Sequence, residues 1–367
     1  MRFKAFVFFA AASIVCSACK EEPPVRSLER PSLRAKQPVL KVRKSAEELI
    51  YGDTLTLEAA PEDTALKLSE IRVSLASTPG RVLARSAEGS VALPTTLTGG
   101  GEVKLRIDAD FTDGQKSMRY QNVRVVASDA PLRWRFETVR TYPHDKSAFT
   151  QGLLFHKGFL YEGTGNLGES RIRKVDLATG EAVMERDNRP DIFGEGITIF
   201  DGKLYQLTYK NGQGFIYNLE DFEKIDDFVY NTYTGEGWGL THNDTALIAS
   251  DGSAYLHYFD PATMTETRRV RAFDHRGNVT RLNELEYRDG LIYANIYGSF
   301  DIVAIDGETG RTVHRYNARD VLKREDRTAG MDVLNGIAVN PLNGNLLITG
   351  KYWKKLYEVR PVPSSDL

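Results

Sequence analysis

A unit of about 45 residues recurs along the C-terminal two thirds of the chain. In each unit a turn residue, glycine in four cases, precedes a short apolar segment, and the five units begin at Gly158, Gly202, Asp244, Gly290 and Gly344. These positions are separated by 44, 42, 46 and 54 residues. Repeats of this length built from short strands are typical of β-propellers, in which each blade is a four-stranded sheet. The repeat therefore predicts a five-bladed β-propeller over residues 135–362.

When the five units are superposed, polar and aromatic residues fall at equivalent positions. The first strand of each unit is predicted to begin at one of five residues, which we call the ring residues: Gln151, Glu195, Trp238, Asn283 and Asn335. The second strand returns antiparallel, so its end lies beside the start of the first. The residues at that end are Gly165, Tyr209, Gly252, Tyr297 and Lys351. We therefore expect one carboxylate, one ammonium group, amides and aromatic rings around the mouth of an axial channel.

Residues 39–130 follow a different pattern. Short segments such as 71–75 and 103–107 alternate apolar and polar residues, and turn residues separate them. A period of two predicts strands that are buried on one face. About seven such strands in about ninety residues predict an immunoglobulin-like β-sandwich. This region has no cluster of histidines or carboxylates, so we expect it to be a spacer or an interaction module, and the whole chain to be all-β.

The N-terminus has the features of an export signal over residues 1–19. Basic residues precede an apolar run at 5–15, which is too short to span a bilayer comfortably. The run ends in a segment similar to a bacterial lipobox, with Cys19 as the lipid-attachment residue, although Cys16 stands where leucine is usual. Ordinary cleavage before Cys19 is the alternative. We expect an exported, membrane-anchored bacterial lipoprotein, periplasmic or at the cell surface, with residues 20–38 as a tether.

Composition and motifs exclude several other classes of protein. The chain has 48 basic and 50 acidic residues and therefore lacks the basic surplus that is typical of proteins that bind nucleic acids. Both cysteines lie in the export segment, and the six histidines lack the spacing of a zinc site. A G-x-G-x-x-G match at residues 163–168 opens no helical pattern and is interpreted as a loop. We therefore predict no metal and no cofactor.

The ring residues allow both structural and functional interpretations. Crowding at the axis is expected to raise the pKa of Glu195, which suits proton transfer. Alternatively, Glu195 caps a backbone turn or pairs with Lys351. Trp238 lies between two glycines and either reaches into an opening or belongs to the core. Because packing alone favours small or apolar side chains at such positions, a ring of distinct polar residues favours a functional site.

Seven segments in one order resemble the glutaminyl cyclotransferases of the plant and bacterial type, a family of five-bladed propellers. The segments are FTQGL at 149–153, FGEGI at 193–197, QLTY at 206–209, GEGWGL at 235–240, LNELEY at 282–287, LNGIA at 334–338 and TGK at 349–351. Members convert the N-terminal glutamine of a peptide to pyroglutamate, release ammonia and need no metal. The resemblance implies this activity here, with a peptide or protein bearing an N-terminal glutamine as the partner.

The resemblance also implies roles for individual residues. Glu195 corresponds to the catalytic glutamate, and the substrate-pocket positions correspond to Phe149, Gln151, Phe193, Trp238, Asn283 and Lys351. Two further pocket positions, usually tryptophan in the family, are Tyr209 and Tyr297 here. In the mechanism that follows, Glu195 carries a proton from the attacking amine to the leaving nitrogen, and Lys351 or Asn283 binds the oxyanion. Gln151 orients the substrate, and the aromatic side chains hold it bent for ring closure.

Two other classes of function remain open at this level. One is a non-catalytic propeller that binds peptides or glycans at the cell surface. The other is a metal-dependent propeller hydrolase, in which Glu195, Asn283 and Asn335 would converge on an axial cation. Lys351 on the same rim would oppose such a cation.

Overall fold

The computed structural model describes residues 37–364, and their regular structure is almost entirely β-strand. Helical structure within this range is limited to the short α-helix Thr95–Thr98 and the 3-10 helix Arg324–Asp326. No helix in the described range is long and apolar enough to cross a membrane. The all-β prediction is confirmed. The predicted export signal and Cys19 lie outside the described residues, as does nearly all of the predicted tether.

The N-terminal part of this range contains eight strands in two sheets. The strands are β1 Leu40–Lys44, β2 Glu48–Ile50, β3 Thr54–Pro61, β4 Leu68–Leu75, β5 Thr78–Ser86, β6 Ser90–Pro94, β7 Gly101–Phe111 and β8 Lys116–Val126. One sheet has the order β1-β3-β6 and the other β2-β8-β7-β4-β5. Alternate residues of β3 and β7, such as Leu55, Leu57, Leu105 and Ile107, belong to one hydrophobic core shared by both sheets. The predicted period of two in this region therefore corresponds to strands with one buried face.

The C-terminal part contains twenty-two strands. The first half of them are β9 Leu132–Pro143, β10 Thr150–His156, β11 Phe159–Thr164, β12 Arg171–Asp176, β13 Ala182–Asp187, β14 Gly194–Phe200, β15 Lys203–Thr208, β16 Gln213–Asn218, β17 Lys224–Val229, β18 Leu240–His242 and β19 Leu247–Ser250. The second half are β20 Tyr255–Phe259, β21 Glu266–Arg271, β22 Phe273–Asp274, β23 Gly277–Asn278, β24 Leu282–Arg288, β25 Leu291–Ile296, β26 Asp301–Asp306, β27 Thr312–Asn317, β28 Leu334–Val339, β29 Leu346–Gly350 and β30 Lys355–Pro363.

These strands form antiparallel meanders of four strands each. Three meanders are separate sheets, with the orders β10-β11-β12-β13, β14-β15-β16-β17 and β18-β19-β20-β21. The remaining strands, apart from the hairpin β22–β23, form an eight-stranded sheet of order β24-β25-β26-β27-β9-β30-β29-β28. Half of this sheet is the fourth meander, β24 to β27, and the other half joins β28, β29 and β30 to β9. Strand β9 pairs in parallel with β27 and antiparallel with β30, so a strand from before the first repeat completes the last one.

We call β10, β14, β18, β24 and β28 the first strands, because each begins its meander. They contact one another in a closed cycle, β10 with β14, β14 with β18, β18 with β24, β24 with β28 and β28 with β10. Glycines after three of the ring residues allow this approach. A Cβ atom added at any of these glycines would collide with the backbone of the next first strand. It would lie 2.5 Å from Ile197 N at Gly152, 2.4 Å from Leu240 N at Gly196 and 2.1 Å from Asn283 O at Gly239. Only a hydrogen atom fits at these three positions.

In the fourth meander the corresponding position is occupied by Glu284, whose side chain is fully buried. Its carboxylate accepts hydrogen bonds from Leu153 N (3.1 Å) in β10 and Ile337 N (2.7 Å) in β28. Glu286, two residues further on, accepts one from Val339 N at 2.9 Å. The first strands leave backbone N–H groups unpaired along their inner edges, and these carboxylates satisfy three of them. The pair of acidic residues is therefore used to join the strands around the axis.

Candidate active site

The nine residues proposed from the sequence as catalytic or substrate-binding line a single cavity of about 230 Å³. They are Phe149, Gln151, Phe193, Glu195, Tyr209, Trp238, Asn283, Tyr297 and Lys351. The cavity lies where the first strands begin and the second strands of the meanders end. Among residues 37–364, no Ser, Cys or His lines it. The chemistry available there is that of one carboxyl group, one amine, two amides and five aromatic rings.

One backbone contact, repeated in four meanders, sets the geometry of this rim. The residue that follows the second strand donates its N–H to the carbonyl two residues before the ring residue. The four hydrogen bonds run from Gly165 to Phe149 (2.8 Å), Tyr209 to Phe193 (3.1 Å), Tyr297 to Arg281 (2.8 Å) and Lys351 to Val333 (3.0 Å). Side chains of the ring residues and of the second strands therefore meet at one level of the fold.

Glu195 is held by a chain of amides. Its side chain is buried, and Oε1 accepts a hydrogen bond of 2.9 Å from Gln151 Nε2. Gln151 is oriented in turn by Asn335, whose Nδ2 donates to Gln151 Oε1 at 3.2 Å and to Thr150 O at 2.9 Å. One N–H of Gln151 is thus committed to the carboxyl group. Asn335 itself does not line the cavity and acts on it only by holding Gln151.

The electrostatics of the cavity bring the carboxyl and the amine towards their neutral forms. Burial raises the pKa of Glu195 well above its usual range; the positive charge of Lys351 opposes this shift and the negative charge of Glu236 adds to it. Burial lowers the pKa of Lys351, against the attraction of Glu195 and Asp332. A buried acid with a raised pKa carries its proton closer to neutral pH and can therefore give up or accept one during a reaction.

Lys351 lies among aromatic rings and not in a carboxylate cluster. Its Nζ is 4.2 Å from the centroid of the Phe149 ring and 5.5 Å from that of Tyr297. Cation–π attraction holds an ammonium group in such a position without neutralising it. The amine is therefore available to a negative charge that develops in the cavity.

Two groups of aromatic rings form the walls. Phe193 lies between Phe149 and Tyr209, with ring centroids 6.0 and 5.6 Å away. On the other side, Trp238 meets Tyr297 edge to face at 5.4 Å and an interplanar angle of 76°. Both arrangements are favourable for aromatic pairs. Apolar walls of this kind enclose a short aliphatic chain and keep water away from its polar end.

Asn283 supplies an unused hydrogen-bond acceptor. Its side chain is buried, and Oδ1 has no hydrogen-bond partner within residues 37–364. Buried polar atoms are normally paired, and an unpaired one that lines a cavity indicates a ligand that donates there. An amine or the NH₂ group of an amide fits this requirement.

Two residues near the site were given no part in the cyclotransferase reaction by the sequence. Asn335 was placed among the ring residues, but its contact with Gln151 depends on side-chain directions that the repeat does not specify. Glu236, which bonds to Trp238 Nε1 at 3.0 Å, lies two residues before a ring residue. The family segment GEGWGL at 235–240 contains it, but the equivalent residues in the other units differ in chemistry, so the repeat did not single it out.

The fold and cavity define an all-β protein with a buried acid–base site between aromatic walls. A family model described as glutamine cyclotransferase matches residues 114–361, which is more than half of the chain. The chain therefore belongs to the glutamine cyclotransferase family, and the resemblance found in the sequence is confirmed.

Individual relatives agree with this assignment. The chain is 38% identical over 229 residues to a glutaminyl-peptide cyclotransferase of Arabidopsis thaliana, a match that covers 61% of this chain and 70% of the relative. It is also similar to the crystal structure of a Myxococcus xanthus glutaminyl cyclase, with 36% sequence identity and a TM-score of 0.59. That match covers 64% of this chain and 100% of the other.

No group of three or more His, Cys, Asp or Glu side chains between residues 37 and 364 is arranged to hold a metal ion.

Proposed function

We propose that the protein is a glutaminyl-peptide cyclotransferase, which converts the N-terminal glutamine of a peptide or protein to pyroglutamate and releases ammonia. The observation that carries the proposal is the buried Glu195 carboxyl, held by Gln151 and facing Lys351 within aromatic walls. Membership of the glutamine cyclotransferase family supports it. A cavity of about 230 Å³ suits one side chain and its adjacent amine.

The reaction is an intramolecular aminolysis. The α-amine nitrogen forms a bond to the δ-carbonyl carbon of the same glutamine, and the bond from that carbon to the amide nitrogen breaks. The attacking nitrogen loses a proton and the departing nitrogen gains one. Glu195 performs both transfers, accepting the first proton and donating it to the leaving ammonia. Because the nucleophile belongs to the substrate, no serine or cysteine is needed.

The remaining polar side chains stabilise the tetrahedral intermediate and orient the substrate and the Glu195 carboxyl. The Lys351 ammonium group and the Asn283 amide N–H donate hydrogen bonds to the oxyanion of the tetrahedral intermediate. Such donors are most effective in a site of low polarity, which is where Lys351 lies. Asn283 Oδ1 accepts an N–H from the substrate, which its lack of a partner supports. Gln151 acts on the substrate through Glu195, because its amide holds the carboxyl group in place.

The architecture proposed for residues 135–362 is a five-bladed β-propeller. Its support is the set of five four-stranded meanders and the closed cycle of contacts between their first strands. For residues 39–130 we propose an immunoglobulin-like sandwich, supported by two sheets that share one core.

We further propose that the protein is exported and anchored to a membrane through a lipid on Cys19. The support is the sequence of residues 1–19 alone. In the bacterial host, Cys19→Ser should move the protein from the membrane to the soluble exported fraction. An unchanged membrane fraction would remove this part of the proposal.

One assay tests the activity. The purified protein is incubated with a Gln-initiated peptide, with and without a chelator, and ammonia and pyroglutamyl peptide are measured. Release of both at equal rates, unaffected by the chelator, is the expected result. Binding of the peptide without turnover would leave a binding module. Chelator-sensitive hydrolysis of lactones without ammonia release would indicate a metal-dependent hydrolase.

A further inference from the structure

Glu236 lies just outside the cavity, in residues 230–239, which join β17 to β18. Its Oε2 accepts a hydrogen bond of 3.0 Å from Trp238 Nε1. Its Oε1 lies 3.5 Å from Lys210 Nζ, and that ammonium group lies 4.7 Å from the centroid of the Tyr209 ring. The carboxylate therefore connects a residue of one aromatic wall to a residue of the other.

The backbone of this connection is fixed by contacts that do not involve the Glu236 side chain. Gly237 N donates to Tyr209 O at 2.9 Å, and Trp238 N donates to Ser250 O at 3.0 Å. Thr234 N donates to Asp251 Oδ2 at 2.9 Å. The Glu236 side chain is a quarter exposed, so its removal opens no large cavity in the core. Its contacts therefore serve the side chains around it and not the folding of the loop.

The indole of Trp238 has apolar contacts on its other sides. A Cβ on Gly252 would lie 2.7 Å from Trp238 Cζ2, so the ring lies against the Gly252 backbone, and the ring of Tyr297 meets it edge to face. Such contacts are not directional enough to fix one ring orientation, whereas a hydrogen bond from the indole N–H to a carboxylate is. Because that N–H is occupied, the substrate meets the face of the ring and not its polar edge.

We propose that Glu236 is a positioning residue that fixes the Trp238 indole, and through Lys210 the Tyr209 ring, as the walls that bind the substrate's N-terminal glutamine. This rests on the proposed cyclotransferase function. Glu236 does not line the cavity and does not touch the reacting atoms. Its contacts therefore act on substrate binding, which separates it from Glu195 and Lys351, while its charge acts at a distance on the pKa of Glu195.

The test is a double-mutant cycle with a conservative variant and a remote control. Glu236→Ala removes the acceptor, and Glu236→Gln retains an oxygen that accepts from Trp238 Nε1. Trp238→Phe retains an aromatic wall but has no N–H, and the double variant Glu236→Ala with Trp238→Phe closes the cycle. Glu308→Ala is the control, because Glu308 is also ion-paired, with Arg268 at 2.6 Å, but lines no part of the cavity. For each, kcat and KM are measured with one Gln-initiated peptide at the pH optimum of that variant, because loss of the Glu236 charge also changes the pKa of Glu195, and Tm is measured alongside.

Glu236→Ala should raise KM about tenfold with kcat changed less than about twofold, since a hydrogen bond to a charged group is lost from a wall of the site. Glu236→Gln should bring KM back to within about threefold of the wild type, because the acceptor is restored. In the Trp238→Phe background, Glu236→Ala should raise KM by a clearly smaller factor than in the wild type, because no indole N–H is left to hold and only the contact with Lys210 is lost. The Glu308→Ala control should match the wild type.

The proposal would be overturned if Glu236→Ala raised KM by the same factor in the wild-type and the Trp238→Phe backgrounds. It would also be overturned if KM of Glu236→Gln were as high as that of Glu236→Ala. A fall in kcat at constant KM would also contradict it and place Glu236 in the chemistry. If Glu236→Ala does not fold, Glu236→Met, of similar length and without an oxygen, replaces it in the cycle. Absence of ammonia release from the wild type would reject the proposed function itself, whereas normal wild-type turnover with an unaffected Ala variant would reject only the role of Glu236.

Discussion

At the scale of single residues, the site depends on one acid whose protonation is set by its surroundings. Glu195 is buried and receives a hydrogen bond from a neutral amide, Gln151, instead of a close cation. A carboxylate paired directly with Lys351 would be ionised and fixed, and therefore a poor proton donor. Raised pKa and restricted orientation together suit a group that both accepts and donates a proton.

The first prediction concerns Glu195→Gln. The glutamine has the same shape but carries no transferable proton, so ammonia release from a Gln-initiated peptide should fall by about 10²- to 10⁴-fold, the usual contribution of general acid–base catalysis. Binding of the peptide and Tm should change little, because glutamine fits the same buried volume. Activity near the wild-type level would contradict the assignment of Glu195 as the proton carrier.

The second prediction concerns the pH profile. The charges that act on the Glu195 carboxyl are Lys351, which lowers its pKa, and Glu236, which raises it. Removing the positive charge in Lys351→Met should therefore raise the pKa of Glu195 further and shift the acidic limb of kcat/KM to higher pH. Lys351→Arg keeps the charge and should keep the limb in place. A limb that stays fixed in Lys351→Met, or shifts to lower pH, would show that Glu195 does not set it.

The sequence predicted the positions of some of these residues but not the contacts of others. All nine cavity residues were named from the sequence, because the repeat places seven of them at equivalent positions and the family resemblance adds Phe149 and Phe193. Glu236 and the role of Asn335 were missed, because both depend on which way a side chain turns between neighbouring strands. Position along a repeat fixes the level of a residue in the fold, but not its hydrogen-bond partner.

At the scale of strands, close approach of the first strands determines where the Glu195 carboxyl lies. Gly196 follows Glu195 directly and has no room for a side chain, since a Cβ would lie 2.4 Å from Leu240 N. From sequence alone this glycine is indistinguishable from one that forms a turn. The structure shows instead that it lets β14 lie against β18.

The third prediction follows from this contact. Gly196→Ala should force β14 and β18 apart, lower the free energy of unfolding by about 1 to 3 kcal/mol as overpacking does, and reduce kcat because Glu195 moves with its strand. Gly80→Ala is the matched control, since a Cβ at Gly80 meets nothing within 4 Å. Urea unfolding and peptide turnover measure both effects. Equal stability of the two variants would show that the first strands have room to adjust.

The fourth prediction concerns the carboxylates between first strands. Burial raises the pKa of Glu286 to about 8, whereas an unfolded glutamate titrates near about 4.3. Between these values the folded state holds a proton that the unfolded state releases. The stabilisation is therefore complete below the unfolded pKa and is lost as pH rises towards about 8. Glu286→Gln keeps the acceptor for Val339 N, so its urea midpoint should fall less steeply than the wild type's as pH rises between the unfolded and folded pKa values. An equally steep fall would contradict the raised pKa of Glu286.

At the scale of the whole molecule, the repeat predicted five four-stranded units, but not that the last two belong to one eight-stranded sheet or how the last unit is completed. The fifth meander takes its outer strand, β9, from before the first repeat, a connection that no local pattern reports. The hairpin β22–β23 was also unpredicted, because it lies between two repeats and matches neither. Strand count in residues 39–130 was about seven by pattern and is eight in the structure, where β2 has three residues and is too short to show a period.

That hairpin joins the N-terminal sheets to the region with the cavity. Phe273, in β22, is fully buried, and its ring centroid is 5.3 Å from that of Tyr51. Gly100 lies directly against the same ring, where a Cβ would come within 2.3 Å. In β23, Asn278 Oδ1 accepts a hydrogen bond of 2.8 Å from Glu102 N. The family match begins only at residue 114, so this contact joins a segment outside the match to one inside it.

The fifth prediction is that the contact stabilises the N-terminal sheets without supporting catalysis. Phe273→Ala should lower the free energy of unfolding by about 3 to 5 kcal/mol, as for other large buried aromatic side chains, and should increase amide hydrogen exchange in β7 and β8. Because no cavity residue lies in β22 or β23, kcat/KM should stay within about twofold of the wild type. Phe259→Ala, equally buried in the third meander, is the control and should leave exchange in β7 and β8 unchanged. A fall in kcat/KM in Phe273→Ala that exceeds that in the control would show instead that the N-terminal sheets help to hold the site.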